Sequence, residues 1–505
     1  MSLVRPTLIV GAGAIASRVL GLVRDVLFAH VLGAGPVADA FLAAFRLPNL
    51  VRRVLSEGGL NPALVPVLVR LPPKVARTVA GEAFASLLLA LATLVAVVEL
   101  AAGLAVLFLA PGLAADPEMV ARAALYTRLS FPLLGGVALA SFLGAVLNGR
   151  RRFVAATLAP LAMNLVLVAA LAALGASALP LEDKAAWLAG AASLAGLVQL
   201  AFVGVAFVGP HPPIRWRAPG RSAPLRGLLR TTLLALVASG SFQLLVLVGT
   251  QAASFLPSGV SWLYYADKVV ELPLGIVAAI VGTVLLAELA RRHAAGQGTV
   301  LLAAQNRALE LGALVALPGA AALAILAEPV ARVLFQRGAF GPEDAAGTAT
   351  ALAALSVGLP FAVASKILTQ TLFARGETGP ALLALAAAVA VAGAAALVLT
   401  GAFGIGGAGA AISFGALVHA GVLAAVLRRA GLWRIDRRLS SRLGRAAVAT
   451  TLMGAGLQTA LARLEPIGSF GLAVLCLGGL VLYAAAAWLC GAVTAADFAD
   501  WGKSR

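Results

Sequence analysis

Apolar runs of about twenty residues or more recur along the whole chain, separated by proline, glycine and knots of charge. A bilayer-spanning helix needs about 20 mostly apolar residues. The pattern therefore predicts fourteen spans, over residues 4–31, 36–56, 78–108, 121–147, 153–175, 185–208, 227–255, 260–289, 300–325, 346–372, 379–400, 405–427, 443–462 and 467–491. The predicted fold class is an all-α polytopic membrane protein. The first apolar stretch runs past Arg18 without a cleavage context, so no cleaved signal peptide is expected.

Composition agrees. Of 505 residues, 61% are hydrophobic and 12% charged, against about 45–50% and about 25% in soluble domains. A soluble protein this apolar could not cover its surface. The net charge of +17 would suggest nucleic acid in a soluble protein. Here most of the excess lies in loops between spans, where it reads as topology, and no nucleic-acid partner is expected. With the N-terminus inside, the cytoplasmic segments carry 23 Lys and Arg and the outer segments five. Both termini are expected in the cytoplasm.

The chain also repeats. FRLP at 45–48 returns as VELP at 270–273, and Pro117-Glu118 returns as Pro342-Glu343, both at an offset of 225. Leu129-Ser130 returns as Leu355-Ser356 at 226, and the basic turn Asn148 to Arg152 returns weakly at Ala374-Arg375-Gly376. Six spans fit one period. That even number gives both units the same orientation, a parallel repeat of the kind in which transporters bind substrate between halves. The predicted organisation is a six-helix lobe at 1–210, a cytoplasmic linker at 211–226 and a second six-helix lobe at 227–427. A segment at 428–505 adds the basic stretch 428–445, two extra C-terminal helices and a cytoplasmic tail.

The first two spans carry charge inside the membrane: Arg18, Arg24 and Asp25, then Asp39, Arg46, Arg52, Arg53 and Glu57. Each central charge costs about 2.5–3.5 kcal/mol on insertion scales, so five arginines facing lipid would cost on the order of 10 kcal/mol or more. They must face protein, water or headgroups. At about 100° per residue, Arg18 and Asp25 share one stripe, and so do Asp39, Arg46 and Arg53, although Pro48 should bend that helix. Span 8 supplies a second group. Asp267 and Lys268 lie four and three residues before Glu271, and Pro273 matches Pro48 in the repeat. Arginines outnumber the nearby carboxylates, which predicts a water-filled cavity with a positive wall and an anionic ligand. Trp262, Tyr264 and Tyr265 read either as an interfacial belt or as a surface for stacking substrate. Glu99, Arg128, Arg230, Arg307, Glu310 and Lys366 stand isolated in sequence, and structural pairing is expected for each.

Other chemistry is not expected. Gly11-x-Gly13-x-x-Ala16 matches a dinucleotide fingerprint, but it continues into an apolar helix rather than a strand-turn-helix, and Asp25 and Asp39 are wrongly spaced for the ribose acid. Small residues there suit close helix packing. Cys476 and Cys490 lie about 21 Å apart along one helix and cannot bridge within it. The four histidines lack ligand spacing. No metal, cofactor or enzyme signature emerges.

The stretches SRVLGLVRD (17–25), GAGPVADAFLAAFRLPNLVRRVLSEGGLNPALVPVL (33–68), LNGRRRF (147–153) and SWLYYADKVVELP (261–273) resemble the MurJ/MviN family. These are lipid II flippases of the multidrug/oligosaccharidyl-lipid/polysaccharide exporter superfamily, and the resemblance covers the whole chain, including the extra helix pair. It implies translocation of lipid II from the inner to the outer leaflet of the bacterial cytoplasmic membrane by alternating access, for cell-wall biosynthesis. It implies substrate-binding roles for Arg18, Arg24 and Arg52, with Arg46 and Lys268, and gating ion pairs among Asp25, Asp39, Asp267, Glu271 and Glu57. The family usually has arginine where this chain has Lys268, which keeps the charge and loses the bidentate fork. Some relatives hold sodium between helices seven, eleven and twelve. The last two of those contain no Asp, Glu, Asn or Gln here, so no sodium site is expected, which leaves membrane potential or protons as the driving force. The implied partners are lipid II and membrane lipids, with other cell-wall synthesis proteins open, and a monomer suffices because one chain holds both halves. Two alternatives stand beside this: export of a drug or another lipid-linked glycan, and an enzyme acting on polyprenyl phosphates. A basic cavity disfavours cationic drugs, and the acid cluster or nucleophile–base pair such an enzyme needs is not found.

Overall fold

The computed structural model describes residues 4–54, 60–150, 152–207, 214–220, 240–294, 298–375, 377–464 and 467–494. All their regular structure is helical. In chain order the helices are α1 Val4–Leu32, α2 Pro36–Val54, α3 Leu60–Arg70, α4 Pro73–Leu100, α5 Ala102–Leu109, α6 Pro117–Ser130, α7 Leu133–Gly149, α8 Phe153–Gly175 and α9 Leu181–Val205. They continue as α10 Ser241–Ala253, α11 Gly259–Ala294, α12 Gly298–Ile325, α13 Ala327–Phe335, α14 Pro342–Ser356, α15 Leu359–Ala374, α16 Thr378–Arg429, α17 Arg437–Leu464 and α18 Ser469–Leu489. Every predicted span coincides with one or more of these, span 7 through its described part only.

Three departures have local causes. Span 3 breaks at Ala101 into α4 and α5, and Arg128 Nε donates to the Glu99 carbonyl there at 3.1 Å, satisfying an acceptor that the helix end would otherwise orphan. Arg128 thus has the structural partner expected of it. Span 4 divides at Phe131-Pro132 and span 10 at Val357-Gly358, where α14 and α15 meet at 45°. Both begin at a proline of the repeat (Pro117, Pro342) and end their first half at a matching serine (Ser130, Ser356), so the offset of 225–226 governs helix boundaries as well as residue identity. Spans 11 and 12 form the single long α16, broken at Gly404 with φ 57° and ψ −136°, which a side chain would disfavour.

Among the described residues, seven helical segments are long and apolar enough to cross a membrane, and the bent α14–α15 pair makes an eighth. Large apolar side chains cover their outer faces: Leu88, Leu89, Val97 and Leu100 on α4, and Phe470, Leu477, Leu480, Val481 and Leu489 on α18 are exposed. Water would penalise such surfaces heavily, whereas hydrocarbon does not.

The chain packs into two compact units. The first holds 1–243, 254–261 and 337–341. Here α1 lies along α8, and α8 and α7 pack on α9. Gly13, of the apparent nucleotide motif, faces Leu158 and Thr157 of α8, as close helix packing requires. A core of Phe84, Phe131, Leu134, Phe142, Leu143 and Leu147 joins α4 to the α6–α7 pair.

The second unit holds 244–253, 262–336 and 342–505. In it α16 packs on α14 and α15, α12 on α17, and α17 on α18. The basic stretch 428–445 is docked. Trp433 is buried and donates to Asn306 Oδ1 at 2.8 Å, while Asn306 donates to the Arg434 carbonyl at 3.0 Å. Glu310 of α12 meets three arginines: Arg307 Nη1 at 2.9 Å, Arg438 Nε at 3.3 Å and Arg442 Nε at 3.7 Å. Arg442 also donates to the Ala492 carbonyl and to Thr494 Oγ1, so α17 is tied both to α12 and to the segment after α18.

Candidate functional site

The charges of spans 1, 2 and 8 sit in two clusters, one in each unit. In the first unit, Arg24 and Asp25 are both buried on α1. Arg24 Nε and Nη2 donate to Asp25 Oδ1 at 3.0 and 2.8 Å, and Nη1 donates to Asn164 Oδ1 of α8 at 2.8 Å. The Phe28 ring lies one turn on, 5.9 Å from the guanidinium carbon. Asn164 is itself held, its Nδ2 donating to the Ser17 carbonyl at 3.4 Å. A charged pair taken from water survives only when its remaining donors and acceptors are satisfied, and Asn164 does this for Arg24. Arg18, seven residues earlier on the stripe shared with Asp25, is exposed. Seven residues are about 10 Å along a helix, enough to pass from the exposed part of α1 into the part covered by its neighbours. Asp25 offsets the charge of Arg24 directly, so the positive excess expected here falls to the other arginines.

Asp39 is buried in the first turn of α2 and accepts from the Ser261 backbone N–H at 2.8 Å and from the Ser261 hydroxyl. Ser261 is in the first turn of α11, so Asp39 places a carboxylate at the positive end of a helix dipole and takes up one of its orphan donors. Arg46, seven residues on, is also buried. Phe41 and Phe45 stack with centroids 5.7 Å apart and pack with Phe28, which fixes α2 against α1. The side chains of Arg52 and Arg53, and Glu57 altogether, lie outside the described residues.

In the second unit, Asp267 and Lys268 are buried on α11. Lys268 Nζ lies 3.7 Å from Glu271 Oε2 and 4.6 Å from the centroid of the Tyr264 ring. A desolvated cation over an aromatic face gains about 2 kcal/mol, which suits a lysine in a position that offers no fork geometry. Tyr264 and Tyr265 are 2% and 0% exposed, packed edge to face on each other, with Tyr265 against Phe335. Trp262 Nε1 donates to Asp344 Oδ1 at 3.1 Å. In this structure the aromatic cluster is therefore core packing, neither an interfacial belt nor an open stacking surface. The burial of the two tyrosines decides this.

Sequence reasoning missed Asn164 and Ser261. Asn164 had a signal: it is the one amide in span 153–175, and a buried amide in an apolar span must find a partner. Ser261 had none, since its role depends on α2 reaching the start of α11.

Comparison with known proteins completes the picture. The family model described as lipid II flippase MurJ matches residues 28–477. The probable lipid II flippase MurJ of Rhizobium meliloti (strain 1021) is 35% identical over 468 residues, covering 91% of this chain and 87% of its own. That of Rhizobium tropici is 33% identical over 501 residues, covering 97% and 93%. Among solved structures, a lipid II flippase MurJ in an inward closed conformation superposes with a TM-score of 0.79 at 19% identity, over 95% of this chain and 98% of that one. An inward-facing multidrug resistance MATE family transporter of the MOP superfamily gives 0.65 at 18%, over 83% and 98%. At those identities the two structures speak to the fold, while the family model and the sequence relatives speak to descent: the chain belongs to the lipid II flippase MurJ family.

Proposed function

We propose that this protein is a flippase that carries lipid II from the inner to the outer leaflet of the bacterial cytoplasmic membrane by alternating access, supplying cell-wall synthesis. It makes and breaks no covalent bond and acts as a monomer with both termini in the cytoplasm. The observation that carries this reading is a guanidinium buried inside a membrane-spanning unit, Arg24, in a chain whose family match runs from 28 to 477. The lobes 1–210 and 227–427 rock about the substrate, and the polyprenyl tail stays in lipid beside the helices of 428–505. Arg18, Arg24 and Arg52, with Arg46, take the pyrophosphate, because guanidinium forks match phosphate oxygens at any pH, and Lys268 adds a point charge. In the resting arrangement Arg24 Nη1 is on Asn164. Substrate replaces that neutral amide with an anionic oxygen, while Asp25 keeps the guanidinium aimed.

Binding tests this. Purified protein should retain lipid II and release a polyprenyl glycan of the same size joined through a neutral linkage; equal retention of both would remove the anionic headgroup from the account. Asp25, Asp39, Asp267, Glu271 and Glu57 time the gate through exchangeable ion pairs. Asp39→Asn keeps an oxygen for Ser261 and loses the charge, and Glu271→Gln does the same opposite Lys268. Each should slow transport about tenfold at unchanged membrane level, the worth of one charge-assisted contact. Normal transport by both would end the gating role.

A further inference from the structure

The stretch that joins α16 to α17 presents a cationic surface that the transport reading does not use. Residues 428–445 hold seven arginines and one carboxylate, Asp436. The folded chain is amphipathic here. Leu427, Trp433 and Leu439 turn inward, in one cluster with Leu309 of α12 and Leu368 and Leu372 of α15. Arg428, Arg429, Arg434 and Arg437 are exposed. The backbone fixes this placement. Gly431, at φ 67°, donates to the Arg428 carbonyl at 3.0 Å, and the Leu432 N–H donates to the Leu427 carbonyl at 2.9 Å, which closes α16 with a Schellman turn. The Trp433 N–H reaches the same Leu427 carbonyl at 3.2 Å, so the chain doubles back and brings Arg434 to the end of α16.

Among the described residues, none of these four arginines makes a hydrogen bond or an ion pair. The carboxylates close by are committed elsewhere. Asp436 Oδ1 accepts the Leu439 N–H at 2.6 Å and caps α17. Glu310 is buried with Arg307, Arg438 and Arg442. Arg437 also stands in the first turn of α17, at the positive end of the helix dipole, where a cation is disfavoured. Arginines that only set topology act as the chain inserts, and their number and side of the membrane suffice. They gain nothing from being fixed by a buried tryptophan and a helix cap. A docked surface of one sign sustains its own repulsion, which an anion relieves.

Ile435 points to the source of that anion. It is 50% exposed and lies between Arg434 and Arg437 in the chain. The stretch leaves α16, which is long and apolar enough to cross a membrane, so it sits at the membrane edge. A free ion would leave Ile435 in water, whereas a lipid offers phosphate oxygens to the arginines and hydrocarbon to Ile435.

We propose that the outward face formed by Arg428, Arg429, Arg434 and Arg437 docks the headgroups of anionic membrane lipids, with Ile435 seated against the upper part of their acyl chains. In the orientation proposed above these are lipids of the inner leaflet, where basic clusters beside a spanning helix find negative surface charge.

The test uses the purified full-length protein in neutral detergent, with phosphatidylglycerol, phosphatidylcholine of the same chain length and inorganic phosphate as probes, read by native mass spectrometry. Wild type should retain phosphatidylglycerol over phosphatidylcholine. Arg434→Gln/Arg437→Gln should bind it about thirtyfold more weakly, about fivefold for each arginine lost. Arg434→Lys/Arg437→Lys should keep most of the binding, because the charge remains. Should the glutamine pair not fold, Arg428→Gln/Arg429→Gln, at the exposed end of α16, carries the same expectation. Millimolar inorganic phosphate should leave the lipid in place, and its displacement would assign a free anion and overturn the lipid reading. Equal retention of the two lipids by wild type, or undiminished phosphatidylglycerol binding by the folded glutamine variants, also overturns the proposal. Neither lipid II nor membrane orientation enters the assay, so its outcome is independent of the transport reading.

Discussion

Replacing Arg24 with alanine should abolish lipid II translocation and destabilise the first unit. The substitution removes three hydrogen bonds at once, two to Asp25 and one to Asn164, and takes the Arg24 charge away from the buried Asp25. Breaking a buried pair by deleting one partner costs about 3–5 kcal/mol. The loss of function therefore has to be separated from loss of fold. Arg24→Lys does this: it keeps a positive charge beside Asp25 and lacks the fork that reaches Asp25 and Asn164 together. It should insert at the normal level, melt close to wild type and transport at least about tenfold more slowly. If Arg24→Lys transported normally, the arginine would be serving the fold alone.

The second large effect is expected at Glu310→Ala. Its carboxylate is buried between Arg307, Arg438 and Arg442, and all three lose that contact together. Arg307 and Arg438 are 40% and 42% exposed at the side chain and can turn to water, so solvent screening discounts their share. Arg442 is 10% exposed and cannot turn away so easily. A loss of about 2–3 kcal/mol follows, below the full cost of a buried ion pair. It should appear as a lower melting temperature together with new proteolytic cleavage in 428–445, the stretch that the network fastens to α12. Glu310→Gln, which keeps an oxygen acceptor, should lose less. An unchanged melt and cleavage pattern for Glu310→Ala would mean that Trp433 and Asn306 hold the linker without it.

Much of this architecture could be read from the chain alone, because membrane helices declare themselves by length and apolarity and need no partner to be recognised. The same logic marked α1, α2 and α11 as unusual, since charge inside an apolar span must be accommodated. What could not be read was the accommodation. Arg24 turns to its chain neighbour Asp25 and to Asn164, 140 residues on. Asp39 serves Ser261, 222 residues away. Glu310 looked isolated because two of its three arginines are 128 and more residues distant. Tyr264 and Tyr265 suggested either a membrane boundary or a stacking surface because composition cannot tell a half-exposed ring from one enclosed by Phe335 and its neighbours. The break at Gly404, in contrast, was visible as the gap between two apolar runs, and glycine there is what the backbone needs.

The central claim is that this chain moves lipid II across the membrane with Arg24 at the substrate. The direct measurement is lipid II exposure at the outer leaflet of bacterial cells depleted of their own flippase, complemented by this protein or by its Arg24→Lys form at matched membrane levels. The account predicts that wild type restores exposure and Arg24→Lys restores little. A wild-type protein that is inserted and folded, yet restores no exposure, would contradict it.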